Sequence, residues 1–438
     1  MARIAILTLT EQRDKVVDER IAQRLRARGH EVLVRHFAMA GQECVCYERP
    51  DVVVVPMVGS LQKLDLVKHC HNWALTVVVR RGEAGAAREV LESLDPERQK
   101  VIVGDYDYAP YVDLELTWGH EFTDMLVERG RISKDKVVSC GAFTLDGCFN
   151  KSKAHNIGKK VLLFATAWSA ADDDPAYTEC GVATDSPLQR QLYAIHRRGR
   201  DEWIRAIKNL YLTKGHKYDF LLKVRPGERT AEYIEKLGSF VRVLPYDFPS
   251  ADAIAMSDCV IHAGSTMAIE AHLMGVPSIN YCNANPDPRL AAVVPMCDDF
   301  SQLSEALGRL HWGYSNIDPT GYQWLVNHLY GQVDGHACER AAAAIHKAAS
   351  ARGKKATLTT PATWPHEHLY PSDQTNLTGG KGYIRVMCVG CKGVFGLKET
   401  ATWTLCPYCG LTLRKMIVGA MKGTPNAMSR VWEPKKAV

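Results

Sequence analysis

Two constellations in this chain combine residue types and spacings that do chemistry. The first is Cys388-x-x-Cys391, followed after fourteen residues by Cys406-x-x-Cys409. A Cys-x-x-Cys turn aims two sulfurs at one point, and two such turns close a tetrahedral thiolate site, with Gly390 and Gly410 easing the knuckles. Four thiolates leave no open coordination position, so the spacing predicts a structural Zn2+ in a four-cysteine zinc ribbon, not a catalytic metal. The second is "IHAGSTMAIEAHLMGVPSINY", residues 261–281. An apolar run ends at Ile261, then His262, Gly264, Ser265 and Thr266 precede a helical pattern that carries Glu270 and stops at Gly275-Val276-Pro277. Small residues and hydroxyls at a strand-to-helix turn make an anion site. A carboxylate one helical turn further on, at Glu270, suits the hydroxyls of a ribose. Together they describe a nucleoside diphosphate. The competing reading is a plain helix cap followed by a half-buried glutamate.

These residues need elements to hold them. From residue 1 to about 150, short apolar runs such as "RIAILTL", "DVVVVPMV" and "LTVVVRR" alternate with amphipathic segments. That rhythm predicts a parallel sheet covered by helices. It restarts at "KKVLLFATAW", with a long charged helix expected near 187–213 and further strands at "YDFLLKV", "SFVRVL", "SDCVIH" and "PSINY". Helical patterns at 302–311 and 337–352 close the second unit. The expected organisation is an N-terminal Rossmann-like domain over 1–150, a second over 158–352, a linker over 353–380, the zinc ribbon over 381–415 and a basic tail over 416–438.

A chain of 438 residues, 46% hydrophobic, can bury two or three cores. Its apolar runs are too short for a membrane span and its first residues do not form a signal peptide, so a cytoplasmic location is expected (the host's, for a viral chain). Ten of the fourteen cysteines follow no repeating spacing and are expected as buried or free thiols. In a reduced compartment, a matched pair of Cys-x-x-Cys motifs favours zinc over disulfides or a redox motif. Charge is uneven: the segment from Lys354 onward carries +8, leaving −3 for the rest of a chain whose total is +5. Lys392, Lys398, Arg414, Lys415, Lys422, Arg430, Lys435 and Lys436 are interleaved there with Trp403, Tyr408 and Trp432. Such a mixture fits phosphate contact plus base stacking, hence DNA, and equally fits a stability clip with a solvated tail.

At this point "SADAIAMSDCVIHAGSTMAIEAHLMGVPSI" resembles the donor-binding segment of GT-B glycosyltransferases, closest in flavour to the surface-carbohydrate, Kdo and CDP-glycerol type transferases. "FLLKVRPGE" (220–228) is similar to their K-x-H-P strand end, with Lys223 kept and Arg225 where histidine usually stands. "LTWGHEFTDMLVERGRISKDKVVSCGAFTLD" (116–146) resembles the end of their N-terminal domain. The resemblance covers most of residues 100–300 and implies an α/β fold of two Rossmann-like domains facing a cleft. It implies diphosphate contacts from His262, Gly264, Ser265 and Thr266, ribose contact from Glu270, and cations at Lys223 and Arg225 against the leaving nucleotide. Arg at 225 cannot donate a proton as histidine would.

A transferase of this kind activates its acceptor hydroxyl with a general base. Strand ends in the first domain offer Glu83, Asp105, Asp107 and His120, with Glu83 the leading candidate and Glu11 an outsider. Each is also read as an ordinary surface group or cap. The function expected is transfer of a sugar, hexosyl or pentosyl, from a nucleotide-sugar, UDP-linked by preference, to a hydroxyl. A metal-stapled basic module points to a hydroxymethylated pyrimidine in DNA as acceptor. The alternatives are a transferase of cell-surface polysaccharide synthesis, a nucleotide-sugar 2-epimerase, and a non-catalytic nucleic-acid-binding protein. Oligomeric state has no signal in the sequence.

Overall fold

The computed structural model describes residues 1–9, 14–37, 44–58, 61–82, 92, 107–149, 151, 158–168, 171, 187–225, 228–245, 248–281 and 293–351, and the strand segments 383–387, 394–398, 403–405, 412–415 and 432–434. Two six-stranded parallel sheets dominate. The first holds β1 (Arg3–Thr8), β2 (Glu31–His36), β3 (Val52–Pro56), β4 (Thr76–Arg80), β5 (Leu114–Thr117) and β6 (Val137–Ser139) in the order β2-β1-β3-β4-β5-β6. Every residue of β3 and β4 is buried, as β-branched runs inside a parallel sheet require. Helices α1 (Asp14–Ala27), α2 (Leu61–Asn72) and α3 (His120–Glu128) accompany it. Leu7, Val53, Val55, Val77 and Val79 meet Val67 of α2 and Phe122 and Leu126 of α3 in one core.

The second sheet comprises β7 (Lys160–Ala165), β8 (Tyr218–Lys223), β9 (Val241–Val243), β10 (Cys259–His262), β11 (Ser278–Tyr281) and β12 (Met296–Cys297). Its helices are α4 (Pro187–Lys214), α5 (Thr230–Leu237), α6 (Ser250–Ala255), α7 (Met267–Leu273), α8 (Phe300–Arg309) and α9 (Pro319–Leu325). Alternate residues of each strand serve opposite faces. Leu162, Phe164, Phe220, Leu222 and Ile261 pack on Trp203, Ile207 and Leu210 of α4. Leu163, Ala165, Leu221 and Val260 pack on Ile254 of α6 and on Met267 and Ala271 of α7. Both faces are covered, and the sheet is doubly wound.

The chain divides into two compact units: Met1–Thr117 with Phe122–Ser139 and Cys338–Val438, and Trp118–Glu121 with Cys140–Ala337. The first unit's second stretch ends at Ser139, and the second unit's long stretch begins at Cys140. The last long helix, α10 (Ala337–Ala351), joins the first unit instead of closing the second. The reason lies in named contacts: Glu339 pairs with Arg24 and Arg28, and His346 Nδ1 lies 2.8 Å from His30 Nε2. Beyond them, β13 (Tyr383–Met387) and β14 (Val394–Lys398) form an antiparallel pair, and β15 (Trp403–Leu405), β16 (Thr412–Lys415) and β17 (Trp432–Pro434) an antiparallel sheet.

Candidate functional site

In the second sheet the order β9-β8-β7-β10-β11-β12 reverses direction between β7 and β10. Doubly wound sheets bind ligands at such a switch point, outside the carboxyl ends of the strands. Here those ends are aligned: Asn280 of β11 pairs with His262 of β10, His262 with Ala165 of β7, and Ala165 with Lys223 of β8. With strands about 4.8 Å apart, this four-residue row spans roughly 14 Å. The described residues leaving it are 263–266, 166–168 and 224–225.

The turn after β10 is built by side chains beneath it. Gly264 has φ +68°, the left-handed region where glycine is unstrained. Its N–H donates to Asn280 Oδ1 at 2.9 Å, and the Ser265 N–H donates to His262 Nδ1 at 3.2 Å. Ser265 Oγ accepts the Met267 N–H at 3.2 Å and so opens α7. The two amides expected to face an anion are thus taken up inside the protein. His262 is fully buried and its pKa is pushed down to about 3 by desolvation, so the imidazole is neutral and supports the turn from below, where direct diphosphate contact was expected. Thr266 is exposed, and Ser265 and Glu270 are half-buried.

Cations come from the strand on the other side of β7. Lys223, half-buried, donates from Nζ to Phe248 O at 2.6 Å. Arg225 is exposed, while its N–H donates to Thr166 Oγ1 at 2.8 Å and Thr166 N–H donates to Lys223 O at 3.2 Å. The structure adds a group that the motifs did not reveal. Glu228 is buried, accepts from Trp168 N–H at 2.7 Å, from the Tyr233 hydroxyl and from Thr166, and desolvation raises its pKa to about 7. A glutamate three residues beyond Arg225 in "VRPGE" was a visible signal, but only folding brings Thr166 and Trp168 to it. Asn280, a polar residue in an apolar strand, was likewise missed.

Of the candidate bases, Glu83 and Asp105 lie outside the described residues, as does Glu11. Asp107 is exposed just before Tyr108, and His120 is exposed as the first residue of α3. Beside Asp107 sits a buried network that sequence reading also missed: Arg81 donates from Nε to Glu115 Oε1 at 2.6 Å and from Nη2 to Tyr108 Oη at 2.8 Å. Cys388, Cys391, Cys406 and Cys409 are outside the described residues too. Cys44, Cys70, Cys140, Cys148, Cys259, Cys297 and Cys338 are buried. No helix among the described residues is long and apolar enough to cross a membrane.

No protein-family model matches the chain, and no curated protein matches it. Solved structures do. The chain is similar to UDP-GlcNAc 2-epimerase from Neisseria meningitidis bound to UDP-GlcNAc, at 12% identity and TM-score 0.46, over 79% of this chain and 100% of that one. It is similar to the wall teichoic acid polymerase TagF at 11% identity and TM-score 0.48, over 80% and 90%. It is also similar to CalG4, the calicheamicin glycosyltransferase, at 12% identity and TM-score 0.46, over 81% and 100%. The two parallel-sheet α/β units stand on the strand order itself.

Proposed function

We propose that this chain is a glycosyltransferase of GT-B type that takes a sugar from a nucleotide-sugar held at the switch point of the second sheet. One observation supports the reading: the strand ends at the β7/β10 switch point lead into the segment carrying Ser265, Thr266 and Glu270 after β10, and β8, next to β7, ends at Lys223 before Arg225. In this reading Ser265 and Thr266 hydroxyls meet the diphosphate, on a turn held by Gly264 and His262, and Glu270 accepts from the ribose hydroxyls. As the bond between the anomeric carbon and the diphosphate oxygen breaks, the electron pair stays on the diphosphate, and Lys223 and Arg225 stabilise that charge. The acceptor oxygen forms the new bond to the anomeric carbon, and its proton passes to a base, with Glu83 preferred over Asp105, Asp107 and His120.

The finer parts of the reading concern the acceptor and the metal. Cys388, Cys391, Cys406 and Cys409 bind one structural Zn2+, a reading supported by the matched Cys-x-x-Cys spacing of the two motifs. The basic, aromatic-bearing segment then engages DNA, and the acceptor is the hydroxymethyl group of a pyrimidine flipped from the duplex. The test is thermal-shift screening with nucleoside diphosphates, followed by transfer assays with a panel of sugar nucleotides. A nucleoside diphosphate raises the melting temperature of the wild type and Glu270→Ala weakens that effect. Unchanged affinity in Glu270→Ala defeats the donor site. Release of nucleotide without transfer to hydroxymethylated DNA points to the 2-epimerase alternative or to a different acceptor, and an absence of DNA retention at low salt removes the DNA acceptor.

A further inference from the structure

Glu228 sits where two loops of the donor site meet. Its carboxylate accepts the Trp168 N–H and a Thr166 hydrogen bond from the segment after β7, and the Tyr233 hydroxyl from α5. Thr166 in turn accepts the Arg225 N–H, so one chain of hydrogen bonds runs from the backbone of Arg225 through Thr166 to Glu228. Residues 166–168 directly follow β7, one of the two strands that define the switch point. The Arg225 side chain is exposed, yet its charge acts on the buried carboxylate.

We propose that Glu228 is a positioning residue for the donor diphosphate: it ties the loops after β7 and β8 together and competes with the bound diphosphate for the charge of Arg225, so that nucleotide binding is coupled to protonation of Glu228. This rests on the donor-site reading above. Two anions drawing on one guanidinium repel each other, so a bound diphosphate favours the neutral acid. The donors from Trp168, Thr166 and Tyr233 favour the anion, and burial opposes them, leaving the carboxyl poised to titrate near neutrality. Other charged and titratable groups nearby have partners or positions of their own. Arg200 of α4 pairs with Glu232 of α5 at 2.9 Å, and Lys223 is held by Phe248 O. His196 of α4 stands edge-on to Trp168 with its pKa lowered by burial and by Arg225.

The test is calorimetric binding of whichever of UDP, CDP, ADP and GDP the wild type takes, at pH 6 and pH 8, to wild type, Glu228→Gln and Tyr233→Phe. The phosphate's own titration is common to all three proteins and cancels in ratios of Kd. The ratio of wild-type Kd to Glu228→Gln Kd rises from near 1 at pH 6 to about fivefold at pH 8, on the way to the tenfold limit that one unit of pKa coupling gives. Tyr233→Phe loses a donor to the anion and moves the midpoint of the pH dependence upward. Paired titrations in buffers of different ionisation enthalpy show proton uptake by the wild type at pH 7 beyond that of Glu228→Gln. A flat ratio with nucleotide bound overturns the role of Glu228 and leaves the donor site intact. No nucleotide bound by the wild type at either pH overturns the donor site, and this proposal with it.

Discussion

Asn280 and His262 explain why polar side chains are tolerated at the ends of two buried strands. Each accepts one backbone amide of the 264–265 turn, and a turn whose amides are satisfied from beneath keeps its shape without a ligand. Among the described residues, Asn280 Nδ2 and His262 Nε2 are buried without a hydrogen-bond partner, a cost the strand ends carry to hold the turn. Asn280→Ala strands the Gly264 N–H. It is expected to lower stability by about 1–3 kcal/mol in urea unfolding and to weaken nucleotide binding in the same preparation. His262 supplies a pH signature. Its folded pKa of about 3 lies below the ordinary histidine value, so its contribution is complete above about pH 6.5 and is lost as pH falls toward 3. Glu228 and Asp18, raised to about 7 and about 6, have the opposite sign, their contribution fading as pH rises through those values. His262→Gln retains an acceptor for the Ser265 amide and has nothing to titrate. The stability advantage of wild type over this variant is therefore expected to shrink by about 1.4 kcal/mol per pH unit on acidification from pH 6.5 to 4, read by denaturant titration at each pH.

At the scale of elements, the segment joining β5 to α3 is pinned by close backbone packing. A Cβ on Gly119 would lie 2.8 Å from Leu329 O, and one on Gly331 would lie 2.5 Å from Trp118 O, with Gly331 at φ +64°. Neither obstacle is a flexible side-chain end, so accommodation needs the backbone of residues 118–119 and 329–331 to separate. Around this contact Trp118 packs on Phe143 and Tyr330, and Glu121 bonds His328. Gly331→Ala combines left-handed strain with a backbone clash and is expected to cost about 2–4 kcal/mol, more than Gly119→Ala, in thermal or urea unfolding. Equal, negligible effects at both positions would contradict the packing described.

For the whole molecule, the uneven charge follows the division of labour proposed for it. The segment from Lys354 carries +8 against −3 for the rest, so deleting 381–438 removes most of the excess positive charge without touching the β7/β10 switch point. This deletion is expected to leave nucleoside diphosphate affinity within about twofold, while abolishing bound zinc by elemental analysis and salt-dependent retention on DNA. Loss of nucleotide affinity in the truncated chain would mean that the C-terminal strands support the donor site, contrary to the scheme. Zinc retained by the truncated chain would place the metal elsewhere.

Local pattern in the sequence was enough for whatever depends on neighbours along the chain. Short continuous apolar runs mark β7, β8 and β10, and the long charged helix α4 spans Pro187–Lys214 where 187–213 was expected. The turn at 264–266 was legible because strand, glycine, hydroxyl and helix follow one another directly. Strand order was not legible, because pairing β10 with β7 instead of its neighbour β9 depends on contacts nearly a hundred residues apart. For the same reason the partners of the turn, Asn280 and His262, and the assembly of Thr166, Trp168, Glu228 and Tyr233 were decided only by tertiary structure. A side chain's periodicity tells which face it occupies. Which distant backbone amide or carboxylate it meets there is set by long-range packing, which no local repeat encodes.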